Sequence, residues 1–171
     1  MKTLIKFPLV LTMLAIFFII IGLTLNSHAQ TKGSPPVINF SYAQERIRQG
    51  DDWRIYISAS DPDGDMSKIY CVINQPGGQL YHPDMIRLKK GMEGNFSGYL
   101  VLRTSSNYNL WGVSLTLTLT IEDRAGNESK PVDFPLTFNG EPMKPLPSDR
   151  EKELNQRIGY IGIDLMRRES F

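Results

Sequence analysis

An all-β fold, an antiparallel sandwich of seven short strands, is what this sequence predicts for its central part. Three observations predict it. Val113 to Ile121 (VSLTLTLTI) alternates apolar and hydroxyl residues without a break, so a strand puts Val113, Leu115, Leu117, Leu119 and Ile121 on one side. Other runs share that period or are rich in β-branched and aromatic residues. Turn signals fall between them, with no linker long enough for a crossover helix.

The strands follow in order. Val37 to Tyr42 (VINFSY) is the first. Trp53 to Ala59 (WRIYISA) is the second, with Trp53, Ile55, Ile57 and Ala59 on one face. Lys68 to Asn74 (KIYCVIN) is the third. Gln79 to Leu88 holds a weaker strand interrupted by Pro83, and Asn95 to Arg103 (NFSGYLVLR) comes next. After Val113 to Ile121, Val132 to Phe138 (VDFPLTF) closes the series. Its Pro135 has no N–H for a ladder, which places this strand at an edge or a bulge. The turns are Gln49 to Asp52, Asp61 to Asp65, Pro76 to Gly78, Lys90-Gly91 and Asp123 to Asn127.

Ahead of this body, residues 1–29 read as an export signal. Lys2 and Lys6 precede an apolar run, Phe7 to Leu25, and Ser27-His28-Ala29 offers small residues where a signal peptidase cuts. The run is also long enough to serve as a membrane anchor. Either way the rest of the chain is expected outside the cytoplasm: periplasmic, secreted, or anchored to the membrane by residues 7–25. Residues 30–36 form a lead-in, 37–139 the sandwich, 140–148 a Pro-rich linker and 149–168 an amphipathic C-terminal segment.

In that last segment Ser148 suits an N-cap, Asp149 and Glu151 the first turn, and Arg167 and Arg168 the last. Leu154, Ile158, Ile161 and Leu165 recur at helical spacing, so the pattern predicts a short C-terminal helix. Gly159 and Gly162 oppose it, and Ile161 to Leu165 also alternates as a strand does. The apolar stripe must be covered by its own domain or by a partner, which makes 149–168 a candidate partner-binding element.

Charge and composition narrow the function. The 171-residue chain carries a formal charge of +1, and losing Lys2 and Lys6 with the signal takes it to −1. No basic face is expected for phosphate backbones, so nucleic acid is excluded as a partner class. Cys71 is the one cysteine; it lies in an apolar strand and reads as a buried hydrophobe. His82 is the one histidine after residue 29. With Asp84 near it but no nucleophile elbow, no zinc ligand set and no phosphate-binding glycine motif, no catalytic residue is assigned and no cofactor is expected beyond a cation.

Three stretches, PPVINF, ISASDPDGDMSKIY and LTLTLTIEDRAGNESKPVDFPLTF, together resemble the immunoglobulin-like domains of bacterial exported proteins, with the cadherin-like and fibronectin-like style of module. The resemblance covers about Pro35 to Phe138. It implies a Greek-key order of strands A to G, although the immunoglobulin Cys–Cys staple and strand-C Trp are absent. It also implies that the loops at Asp61 to Asp65 and Asp123 to Asn127 meet at one pole.

Two readings of that pole stand. In one, Asp61, Asp63, Asp65 and Asp123 hold a structural Ca²⁺, because gathered carboxylates repel until a cation neutralises them. In the other, Asp and Gly merely build a polar turn through Asx bonds and a positive φ at Gly64. The EF-hand register fails, since counting from Asp61 puts Gly64 at position 4 and Val72 where the bidentate Glu belongs. Tyr99, Tyr108 and Trp111 are a further candidate surface, for a carbohydrate or a protein partner in the cell envelope. The function expected is a non-catalytic binding, spacing or scaffolding module of the envelope. The alternative is a small envelope enzyme or an accessory subunit of a larger complex.

Overall fold

The computed structural model describes residues 33–77, 80–104, 109–144, 146, 150 and 152–165. The signal or anchor of residues 1–29 lies outside these, as do Tyr108, Ser148, Asp149, Glu151, Arg167 and Arg168.

Among the described residues nine strands form: β1 (Val37–Ala43), β2 (Arg46–Ile47), β3 (Asp52–Ser60), β4 (Met66–Asn74), β5 (Asp84–Arg87), β6 (Asn95–Arg103), β7 (Ser114–Asp123), β8 (Val132–Phe138) and β9 (Arg157–Ile161). They make two sheets, one in the order β1-β3-β6-β9 and the other in the order β2-β8-β7-β4-β5. The pairings are antiparallel except β2 with β8 and β6 with β9. The expected strands have counterparts, but the two sheets hold nine strands rather than seven, and the run expected within Gln79 to Leu88 is a strand only at Asp84–Arg87.

Alternation works as expected in β7. Leu117, Leu119 and Ile121 are fully buried and Leu115 nearly so, while Thr116, Thr118 and Thr120 on the other side are half-buried. Trp53, Ile55, Ile57 and Ala59 of β3 face the same interior, where they pack with Ile69 and Cys71 of β4 and Leu100 and Leu102 of β6. The Trp53 indole N–H, which burial obliges to find an acceptor, donates to the Gln44 carbonyl at 2.7 Å. β8 lies between β2 and β7 rather than at an edge, but its ladder with β2 covers only Thr137 and Phe138 and stops short of Pro135, which is paired with Thr116 of β7.

Two features depart from the sequence reading. The two-residue β2 was too short to show any pattern. More consequentially, the C-terminal helix predicted within 149–168 is replaced at Arg157–Ile161 by strand β9, parallel to β6. The apolar stripe is buried as expected: Leu154, Ile158, Ile161 and Leu165 are each at most 4% exposed. The backbone is what differs. Gly159 and Gly162 weaken a helix, and the open side of β6 offers a row of unpaired N–H and C=O groups that a strand satisfies. Ile161, Ile163 and Leu165 then alternate into the core, while Gly162 and Asp164 face out. The stripe is thus covered by its own domain.

Leu146 and Leu154 also bury against Tyr56, with Phe40, Tyr99 and Met143 around them, on the outer side of the β1-β3-β6 sheet. Leu146 and Leu154, both between β8 and β9 in the chain, therefore cover part of that sheet's outer face.

Candidate functional site

The loop Asp61 to Asp65 joins β3 to β4, and β7 ends at Asp123. The β4–β7 register pairs Met66 with Asp123, so the loop is carried directly to the end of β7. Backbone bonds fasten it there. Asp61 N donates to Gly94 O at 2.8 Å, Met66 N to Glu93 O at 3.0 Å, and Arg124 N to Asp65 O at 3.0 Å. Within the loop, Asp63 N and Asp65 N donate to the Asp61 carboxylate at 3.0 and 3.4 Å, and Gly64 has a φ of 70°. The Asx turn of the plain reading is therefore present.

The carboxylates of Asp61, Asp65 and Asp123 come together, with an oxygen of each within 4.8 Å of the others. Asp61 and Asp123 are buried, at 6% and 1% exposure. Both oxygens of Asp123 are taken by Asn127, whose backbone N–H donates at 2.8 Å and side-chain amide at 2.7 Å. Asp65 differs: its Oδ1 is fully buried and accepts no hydrogen bond. Burial above all, then the contact with Asp61 and the negative charges of Asp123, Asp61 and Asp63, push the Asp65 carboxyl above its ordinary range.

Asp63 stands apart. It is exposed, and its Oδ2 accepts the N–H of Ser34 in the lead-in. Glu122, next to Asp123 in the chain, turns to the other face of β7, where it pairs with Lys68 Nζ at 2.6 Å. Glu93 is drawn off by its own backbone, by Gly91 N–H and by Arg124 at 3.8 Å, and these contacts hold its carboxyl below the usual range. Of the four aspartates singled out in the sequence, three form the cluster and the fourth ties down the N-terminal lead-in.

Three all-oxygen ligands of this kind suit a hard cation such as Ca²⁺ better than a soft metal. The bare Oδ1 of Asp65 fits such an ion, since an ionised buried oxygen with no donor is otherwise a cost to the fold. The remaining expected residues lie elsewhere. His82 is exposed ahead of β5, which the register sets against Lys68 to Cys71. Cys71 is fully buried, and burial pushes its thiol up to about 12. Tyr99 sits on the outer face of its sheet, its ring 5.7 Å from that of Tyr56 and beneath the Arg54 guanidinium at 5.3 Å. Trp111 is 65% exposed.

No protein-family model matches the chain, and no curated protein does. Among solved structures, a crystal structure of the SrpA adhesin R347E mutant from Streptococcus sanguinis matches at a TM-score of 0.35 and 18% identity, over 64% of this chain and 57% of that one. The match spans little more than half of the adhesin chain, and at that TM-score it carries no functional inference.

Proposed function

We propose that the chain is an exported, non-catalytic immunoglobulin-like module of the cell envelope, with a binding, spacing or scaffolding role, stabilised by Ca²⁺ held between Asp61, Asp65 and Asp123. The strand order supports the immunoglobulin-like part. The neighbours β1-β3-β6 and β2-β8-β7-β4-β5 follow the A-B-E and A′-G-F-C-C′ orders of such domains, with β9 in the place next to strand E. The Lys-flanked apolar run and the Ser-x-Ala site support export.

The observation that carries the Ca²⁺ reading is the buried, unpartnered Oδ1 of Asp65 among two further carboxylates. A cation there supplies the positive charge that the described residues around the cluster do not. Asp63 acts beside it as a fastener of the lead-in rather than as a ligand. Sites of this kind in extracellular modules bind Ca²⁺ in roughly the 10⁻⁴–10⁻³ M range, so the occupancy would follow an external rather than a cytosolic concentration. Scanning calorimetry of the purified protein in millimolar CaCl₂ and in chelator tests it: the reading expects a higher melting temperature with Ca²⁺ and is abandoned if the two traces coincide. The enzyme alternative needs His82 and the carboxylates in one pocket, and the exposed position of His82 gives it no support.

A further inference from the structure

At the other end of β7, about 30 Å away by the rise of ten strand residues, the chain enters the strand through a turn that holds an exposed indole rigidly. Val113 N donates to Leu110 O at 2.9 Å, and Gly112 has a φ of 75°, as the third residue of a type II turn requires. Trp111 is the second residue, at the apex. The turn is fastened on every side. Leu110 is fully buried, its N–H donates to Gln49 Oε1 at 2.9 Å, Gly112 N donates to Phe138 O at 2.7 Å, and Trp111 N donates to Asn109 Oδ1 at 3.1 Å. One edge of the indole lies on Gly140, where even a Cβ would come within 2.7 Å of the ring. The rest, 65% of the residue, is in water.

A large apolar ring held still in solvent lowers the ordering cost of whatever stacks on it. Beside it is a cavity of about 410 Å³ lined by Arg48, Gln49, Asn109, Trp111, Phe138 and Gly140. That volume is at the lower end of small-ligand sites. The Gln49 and Asn109 side chains are held through their oxygens, which leaves their amide N–H groups available as donors, and the Trp111 indole N–H is a further donor. Arg48 is already paired with Asp51 at 3.2 Å, so the site adds little net charge.

We infer that this turn is a carbohydrate subsite: it takes one pyranose ring of a neutral oligosaccharide, the C–H face on the Trp111 indole and the hydroxyls on Gln49, Asn109 and Arg48. A protein hot spot is the other use of an exposed tryptophan, but such anchors sit in well-packed, desolvated pockets from which the surrounding contacts exclude water. Here the rim is two amides and a guanidinium, a set of donors matched to hydroxyls. The inference deepens the binding role proposed above by giving it a place and a ligand class, and it is independent of the Ca²⁺ pole.

The test uses the purified full chain in a detergent that contains no sugar, with cellohexaose, chitohexaose and maltohexaose as probes. Trp53 is fully buried, so acrylamide quenching reports Trp111. At about 10 mM, a concentration suited to weak binding near the millimolar limit, at least one hexaose is expected to reduce that quenching roughly twofold and shift the emission to the blue. Trp111→Ala, at an exposed position, should fold normally and lose the binding, and Trp111→Tyr should keep a weakened form of it, by direct calorimetric titration. The inference is overturned if none of the three protects the indole, or if Trp111→Ala binds as well as the parent. The Ca²⁺ melting shift, measured on the same samples, separates failure of this site from failure of the module reading.

Discussion

At the residue scale, Asp65 and Cys71 make opposite uses of burial. Asp65 brings a charge to a place with no donor for its Oδ1. Asp65→Asn removes that charge, so the variant is expected to melt a few degrees above the parent in chelator and to lose the gain that Ca²⁺ gives the parent. Calorimetry of both proteins in both buffers checks this, and a Ca²⁺ response that survives in Asp65→Asn contradicts the ligand role. Cys71 brings a neutral thiol whose ionisation burial resists, from 9.0 up to about 12. A group whose pKa rises on folding favours the folded state while protonated. Its contribution is whole below pH 9 and is lost as pH climbs toward 12. Urea titrations from pH 7 to 11 should therefore show stability falling more steeply for the parent than for Cys71→Ala above pH 9. Iodoacetamide should leave the native thiol unlabelled at pH 8, because the reactive thiolate is scarcely populated and the sulfur is buried.

At the element scale, β9 is what completes the sheet that carries it. Ile158, Ile161, Ile163 and Leu165 all enter the core, each at most 7% exposed. Burial of such side chains is worth about 1.5–3 kcal/mol apiece, a large share of a domain's stability of about 5–15 kcal/mol. Deleting residues 157–171 is expected to abolish cooperative unfolding, seen as loss of the calorimetric peak. A gentler probe is Gly98 of β6, where a Cβ would stand 2.1 Å from the carbonyl oxygen of Gln156. That carbonyl accepts the Tyr99 N–H at 2.9 Å as the tail arrives. Gly98→Ala is expected to lower stability by about 1–3 kcal/mol through the clash, measured by urea unfolding. Strands with long period-2 runs were legible because one buried face dictates the pattern, as in β3, β6 and β7. The tail was not, because Leu154, Ile158, Ile161 and Leu165 fit helical spacing while Ile161, Ile163 and Leu165 fit extended spacing. Only the tertiary opportunity beside β6 decided between them.

At the scale of the whole molecule, two poles at opposite ends of β7 have opposite chemistry: buried carboxylates at one, an exposed indole with amide donors at the other. The first was legible in the phrases DPDGD and EDRAGN, since a sandwich brings those two loops together. Membership within it was less so. Asp61, Asp63 and Asp65 are indistinguishable by type, and their division between cluster and lead-in follows from where Ser34 passes, which no local pattern records. Trp111 was visible as a residue, but its rigid exposure depends on Gln49, Phe138 and Gly140, remote in the chain. A module stabilised by Ca²⁺ gains RT ln(1 + [L]/Kd), about 1.4 kcal/mol at ten times Kd, or roughly 4–8 °C for a domain of this size. The most direct test is the melting temperature of the purified protein in chelator and across a CaCl₂ series up to about 10 mM, a range set by the affinity of extracellular sites. A rise of that order that saturates, and that Mg²⁺ at equal concentration does not reproduce, is the predicted result. A melting temperature that CaCl₂ and chelator leave unchanged would contradict it.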